Sequence, residues 1–435
     1  MNQTKSYRSS FILLTTLFFL WGFITVLVDS LIPRLRELFT LTYFQAGMVQ
    51  FAFFGAYFLL SIPASYILSK IGYKRGIILG LFTMALGCLL FYPAASYRVF
   101  GIFILAYFIL AGGMTILQVA ANPYVAVLGS EEGASSRLNL SQAFNSLGTA
   151  IAPAVGALFI LSDTIKTKEE IASLSESAKE TYLATEASAV QNPFLGLAVF
   201  ILLIAGIFFF AKLPKLISET STGTYAEAFK QKNLMLGVLG IFFYVGAEVA
   251  IGSYLVNYFL DMNLVEVIKE HGFMTTIAEG ILNSGLAEND NKAIVGVFVT
   301  FYWSGAMIGR FVGSYLTRIM KPGKVLGIFA TLAISLIIIS ISTTGLVSMW
   351  SILAVGLFNS IMFPTIFTLA IDGIGELKPK ASGLLCTAIV GGAIIPPLYG
   401  NFVDNVGFKT ALMFIIICYA YILWYGYKNS KKETA

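Results

Sequence analysis

Two carboxyl groups and a set of side-chain amides stand inside runs of sequence that are otherwise apolar, and these are the residues placed to do chemistry there. Asp29 lies in SFILLTTLFFLWGFITVLVDSLIP and Glu248 in FFYVGAEVAIGSYLVNYF. A carboxylate near mid-membrane depth costs roughly 2.5 to 3.5 kcal/mol on insertion scales, so it is kept where it faces a partner, a cavity or a passing ion. Thr25 shares a helix face with Asp29, and Tyr244 and Gly252 flank Glu248 at helical spacing. Glu248 is therefore a candidate for a coupling cation or for a ligand hydroxyl. Gln118 and Asn122 stand at i and i+4 before Pro123, which lacks a backbone donor and frees a carbonyl that can line a cavity. Asn139, Gln142 and Asn145 follow along one face of the next apolar run, and Asn359 and Phe363 occupy a later one. Amides present both donors and acceptors, which suits neutral polyhydroxylated ligands such as sugars better than anions. Any one amide is as well explained by helix packing; five on adjacent segments point to a polar cavity.

The elements that carry these residues are membrane spans. The chain has 435 residues, 57% of them hydrophobic and only 12% charged, far from the balance of a soluble domain. About twelve apolar runs reach the roughly 20 residues that a spanning helix needs, and they are too long and unbroken for barrel strands. The predicted spans of the first half are 10–33, 43–69, 76–94, 99–128, 137–161 and 193–212. Those of the second half are 234–260, 293–317, 324–344, 348–371, 381–403 and 408–427. The first run lacks a small-residue cleavage pattern and is expected to stay as a helix. Placing the N-terminus inside gathers most of the lysines and arginines on the cytoplasmic side, so both termini are expected there. The net charge of +5 reports that asymmetry and not an affinity for nucleic acid. Lys70, Lys74 and Arg75 read as such signals that also latch a cytoplasmic gate, and Arg310 is expected to snorkel or pair at the same end. The three cysteines have unrelated spacings and His271 stands alone, so neither a disulfide framework nor a metal cluster is expected.

A polar stretch, PKLISETSTGTYAEAFKQKN, divides the spans six and six and predicts an N-terminal bundle over 1–213, a linker over 214–232 and a C-terminal bundle over 233–435. Two further polar inserts, near 163–192 and 261–292, lie on the outer side, the first rich in helix formers. ASYILSKIGYKRGIILG after the second span resembles GSYLTRIMKPGKVLG after the eighth, an internal repeat that an even offset of six spans keeps in one orientation. Parallel halves with a ligand site between them near the midplane are the arrangement of major facilitator transporters.

Taken together, FFLWGFITVLVDSLIPRL, LQVAANPYVAVLG, SRLNLSQAFNSLG, YVGAEVAIGSYLVNYF, IGRFVGSYL, FNSIMFPTIF and IVGGAIIPPLYG resemble the fucose, galactose and glucose permease family of the major facilitator superfamily. The resemblance covers nearly the whole chain. It implies an all-α membrane protein of about twelve helices in two six-helix bundles, working by alternating access. Asp29 matches the family's first-helix acid, and Gln142 and Asn145 its fifth-helix amides. The fucose branch has a glutamate where this chain has Gln118 and lacks an acid where this chain has Glu248, so the pattern is closer to the glucose and galactose branch. Cation coupling is thereby expected of Asp29, Gln118 and Glu248. A Na⁺ ion would be held by Asp29 and the Gln118 carbonyl oxygen, whereas a proton would ride on Asp29 alone. The sugar would meet Asn122, Gln142, Asn145, Glu248, Asn359 and Phe363.

The expectation is thus a monomeric symporter of the bacterial inner membrane that imports a neutral hexose, glucose or galactose, with Na⁺ or H⁺, without a cofactor, surrounded by membrane lipid. Alternatives are a fucose, amino-sugar or oligosaccharide permease of the same fold and a sugar sensor that does not transport. A membrane enzyme is disfavoured, because it would need a clustered site of acid, histidine or nucleophile at the membrane surface, and the only acid-rich loops, the two outer inserts, lack such a constellation.

Overall fold

In hydrocarbon every backbone N–H and C=O must be satisfied inside the protein, which a helix does within its own segment. A computed structural model of the chain follows that rule: it describes residues 7–38, 43–160, 173–214 and 223–432, with no strand among them. In the first half the helices are α1 (Arg8–Leu38), α2 (Tyr43–Ile71), α3 (Tyr73–Tyr97), α4 (Phe100–Val127), α5 (Ala134–Ile160), α6 (Glu176–Phe210) and the short α7 (Tyr225–Lys230). The second half has α8 (Lys232–Asp261), α9 (Leu264–Glu270), α10 (Gly272–Leu282), α11 (Asn291–Gly296), α12 (Val299–Ile319) and α13 (Pro322–Ser342). It continues with α14 (Gly345–Asn359), α15 (Met362–Ala370), α16 (Lys378–Thr387), α17 (Gly391–Val406) and α18 (Phe408–Lys432).

Eleven helical segments among the described residues are long and apolar enough to cross a membrane. The fifth predicted span is α5, whose 27 residues extend about 40 Å at the helical rise. Four spans differ in form from the expectation, the eighth by a turn at Val297–Phe298 between α11 and α12. The sixth is the second half of a 35-residue helix that begins in the first outer insert, where the Ser175 hydroxyl accepts from the Ala178 N–H at 3.3 Å and caps a run of Ala, Glu and Lys. The tenth is broken between α14 and α15 at Ser360–Ile361, and the eleventh between α16 and α17 by a 3-10 turn, Ala388–Val390, just before Gly391 and Gly392. Glycine is a poor helix former and proline removes a donor, and both recur in these two segments.

The chain divides into two compact units, the first being Met1–Ser130, Phe144–Lys230 and Gly373–Thr387, the second Glu131–Ala143, Gln231–Asp372 and Ala388–Ala435. In the first, the fully buried Phe91 of α3 stacks on Phe194 of α6 at 3.9 Å and meets Phe103 of α4 edge-on. In the second, the buried hydroxyls of Tyr258, Ser340 and Ser348 bond one another at 3.0 to 3.1 Å and tie α8, α13 and α14 together.

Candidate functional site

In the second unit a buried polar cluster forms around Glu248. Tyr244 and Glu248 stand one turn apart on α8, Tyr302 and Arg310 on α12, Asn359 at the end of α14 and Tyr419 on α18. The Arg310 guanidinium lies 3.9 Å from Glu248 Oε1, with the two side chains only 16% and 14% exposed. That distance is an ion pair without a hydrogen bond. Arg310 Nε donates at 3.1 Å to the carbonyl of Ser360. Pro364 has no N–H, so the carbonyl four residues earlier, that of Ser360, has no donor from its own helix; the arginine supplies one. Gly309 permits this, because a Cβ there would stand 2.1 Å from the Leu357 carbonyl, and α12 therefore approaches α14 backbone to backbone. Arg310 was expected to snorkel or pair at the cytoplasmic end of its span. It lies inside α12, where a carboxylate and an orphaned carbonyl are both in reach.

Asn359 is fully buried beside this pair. Its Nδ2 donates to the phenol oxygens of Tyr302 at 2.6 Å and Tyr419 at 3.3 Å, while its Oδ1 has no hydrogen-bond partner among the described residues. The Tyr302 hydroxyl in turn donates to the Glu248 backbone carbonyl, at 3.5 Å. Tyr244 contributes a further buried hydroxyl one turn before Glu248. Phe363 is 7% exposed and packs on Phe367, ring centroids 6.0 Å apart. Across the break in the tenth span it lies beyond Asn359, on α15.

In the first unit the helical backbone of α1 carries Asp29, whose side chain lies outside the described residues. Just before it, the Thr25 hydroxyl donates to the Trp21 carbonyl at 2.9 Å and touches the Met114 sulfur at 3.8 Å. Asn145 of α5 donates to the Phe18 carbonyl at 2.9 Å, and a Cβ on Gly22 would stand 2.2 Å from the Asn145 carbonyl. The α1–α5 seam is thus backbone against backbone, with the Asn145 amide fastening it. Gln118 is 7% exposed, and Asn122 is fully buried with both amide atoms lacking a hydrogen-bond partner among the described residues. The carbonyl that Pro123 frees, that of Val119, accepts from the Ser382 hydroxyl of α16 at 2.8 Å instead of lining an open cavity. The device of the second unit is repeated: a proline within the fourth or tenth span frees a carbonyl, and a side chain from another helix closes it.

The three amides of α5 divide between the units. Gln142, 7% exposed, and Asn139 belong to the stretch grouped with the second unit, where Asn139 bonds Thr365 Oγ1 at 3.2 Å, whereas Asn145 serves the first. Among the residues expected at a gate, Lys70 sits over the ring of Tyr66 on its own helix at 4.2 Å. Lys74 donates to the Phe209 carbonyl at 2.8 Å and so closes the end of α6, and the Arg75 side chain is exposed. Tyr419, Ser360 and Ser382 were not anticipated from the sequence. For Ser360 a signal exists, since a proline obliges some donor to meet the carbonyl four residues before it, but that the donor to the Val119 carbonyl is Ser382 carries no such mark. For Tyr419 there is none, because a tyrosine in an apolar helix carries no mark of what its hydroxyl meets.

Residues 9–397 match the family model described as Major Facilitator Superfamily. The chain is 47% identical over 433 residues to a protein named glucose/galactose transporter of Brucella abortus, covering 99% of this chain and 96% of that one. It is 35% identical over 442 residues to the L-fucose-proton symporter of Escherichia coli, covering 99% and 95%. Its structure resembles the crystal structure of the Major Facilitator Superfamily transporter FucP in the outward conformation, with a TM-score of 0.86 and 33% identity over 98% of this chain and 99% of that one.

Proposed function

The chain belongs to the Major Facilitator Superfamily, and we propose that it is a secondary active transporter importing a neutral hexose, glucose or galactose, in symport with a cation. The observation that carries this reading is the cluster around Glu248. Its carboxylate has Arg310 as counter-charge, so the second unit presents a charge-balanced group of hydroxyls, an amide and a carboxylate. Such a set suits a neutral polyhydroxylated ligand and repels a bare cation, which would lie beside a guanidinium. Glu248 and Asn359 are thereby assigned to sugar, and the coupling cation to the first unit, at Asp29. If the ion is Na⁺, Gln118 is its second protein ligand; if it is H⁺, Asp29 carries it alone. Asn122, both of whose amide atoms lack hydrogen bonds among the described residues, Gln142 and Asn145 are assigned to the sugar, Phe363 to an apolar wall, and Lys70, Lys74 and Arg75 to the cytoplasmic rim. We place the protein in the bacterial cytoplasmic membrane as a monomer with both termini inside, following the distribution of basic residues.

The names of the relatives support hexose over other substrates: 47% identity to a glucose/galactose transporter against 35% to a fucose symporter. The test is entrance counterflow in proteoliposomes preloaded with unlabelled galactose. Transient accumulation of labelled galactose and glucose, inhibited by each other, is expected. Binding without counterflow would leave a sensor, and inhibition by L-fucose but not by the hexoses would move the substrate to the fucose class.

A further inference from the structure

We infer that α10, in the polar insert between the seventh and eighth spans, is an interfacial anchor that lays its outward face into the headgroup and acyl boundary of the bilayer. The insert carries two adjacent helices of opposite surface character. On α9 the exposed side chains are Glu266, Lys269 and Glu270, at i, i+3 and i+4, and Lys269 donates to Glu266 at 3.2 Å. That helix buries Leu264, Val265 and Ile268 and turns its charge outward, as a helix facing water does. On α10 the exposed positions of one face are Phe273, Thr276, Gly280 and Ile281, with the half-buried Ile277 between them, and none is charged. Phe273 is 74% and Ile281 45% exposed. The Thr276 hydroxyl donates to the Gly272 carbonyl at 2.9 Å, so its polar hydrogen is satisfied within the helix. Glu279 is the one charged residue of α10, and its carboxylate accepts from the Leu286 N–H at 3.2 Å, inside the insert. On the opposite side Met274 and Ala278 are buried, and the Thr275 hydroxyl donates to the Ile268 carbonyl at 2.9 Å, which fastens α10 to α9.

An uncharged face of this kind gains from an apolar cover. Connectivity supplies one. The spans on either side end at Asp261 and begin at Asn291, ten residues before and eight residues after α10, so the helix is tethered to the membrane surface from both directions. Its 11 residues extend about 16 Å, too short to cross a bilayer and suited to lying in its plane. A protein partner covers it less well, because a face about 16 Å long and about 10 Å wide offers about 160 Å², against about 800 Å² per partner in a stable interface.

Site-directed spin labelling tests this in proteoliposomes of phosphatidylethanolamine and phosphatidylglycerol. The labelled variants are Phe273→Cys, Ile277→Cys and Ile281→Cys on α10 and Glu266→Cys and Glu270→Cys on α9, and the parent protein, whose three cysteines are buried, sets the background. Collision of the label with oxygen, which concentrates in the bilayer, is compared with its collision with a water-soluble nickel chelate. Oxygen is expected to dominate at the three α10 positions, at a depth of about 5 to 10 Å, and nickel at the two α9 positions. Adding Ile277→Asp to Phe273→Cys is expected to bring that label within reach of nickel, since a carboxylate on the buried face opposes insertion. Nickel dominance at all five positions would overturn the inference by leaving the face in water. So would α10 labels that neither reagent reaches: loss of that protection on dilution in lipid would assign the cover to a second copy, and its persistence to the first outer insert. If Phe273→Cys does not fold, the labels replacing Ile277 and Ile281 decide. No transport is measured, so the outcome is independent of the hexose reading.

Discussion

Arg310→Met tests whether the cluster in the second unit is built as described. Methionine keeps an unbranched stem but removes the guanidinium, and two groups lose their partner at once. At 3.9 Å, and with an effective dielectric of about 20, the attraction to Glu248 is about 4 kcal/mol. Breaking a buried pair from one side costs about 3 to 5 kcal/mol, and the two side chains are well enough buried for solvent screening to take only part of that. The Ser360 carbonyl, which Pro364 deprives of its helical donor, adds about 1 to 3 kcal/mol when Arg310 no longer meets it. The single variant is therefore expected to lose about 4 kcal/mol or more. Glu248→Gln with Arg310→Met removes both charges and leaves mainly the carbonyl, so the double variant loses only about 1 to 3 kcal/mol. Pro364→Ala restores a backbone donor and is expected to recover part of that remainder. The assay is a denaturant titration in mixed micelles followed by tryptophan fluorescence, with all variants in one double-mutant cycle. Additivity of the two single changes within about 0.5 kcal/mol would refute the pairing.

Three further outcomes follow from the same geometry. Asp29→Asn is expected to abolish gradient-driven accumulation of sugar while sparing counterflow; uphill uptake by that variant would remove Asp29 from coupling. Ser382→Ala leaves the Val119 carbonyl without its donor and is expected to cost about 1 to 3 kcal/mol, offset by Pro123→Ala in the same chain; equal melting of wild type and Ser382→Ala would contradict this. Gly22→Leu places atoms where the Asn145 carbonyl already stands and is expected to destabilise by about 1 to 3 kcal/mol or more, with a lower melting temperature in detergent; an unchanged melt would contradict the backbone seam of α1 and α5.

Much of the architecture was legible in the sequence because apolar length is a strong signal: every predicted span coincides with helix among the described residues. The breaks were less legible. Pro364 announces that one carbonyl must find an outside donor, yet that the donor is Arg310 of α12, brought close through Gly309, carries no mark in the sequence. The same holds for Pro123, whose freed carbonyl was expected to face a cavity and is met by Ser382, a residue more than 260 positions away in sequence. Glu248 was recognisable as a buried acid from its apolar setting, and Arg310 as a charge in an apolar helix, but their pairing joins α8 to α12 and no spacing rule connects them. The amides of α5 show the limit of helical periodicity: Asn139, Gln142 and Asn145 share a face by spacing, but Asn139 is engaged by Thr365 and Asn145 by Phe18.

Cation-coupled hexose symport is tested most directly by uptake of labelled galactose and glucose into proteoliposomes of the purified wild-type protein under an imposed inward Na⁺ gradient or an imposed inward proton gradient. Accumulation above the external concentration is expected under one of the two gradients, collapsing when that gradient is dissipated by its ionophore. Mere equilibration of sugar under both gradients, at the same rate with and without them, would contradict the account.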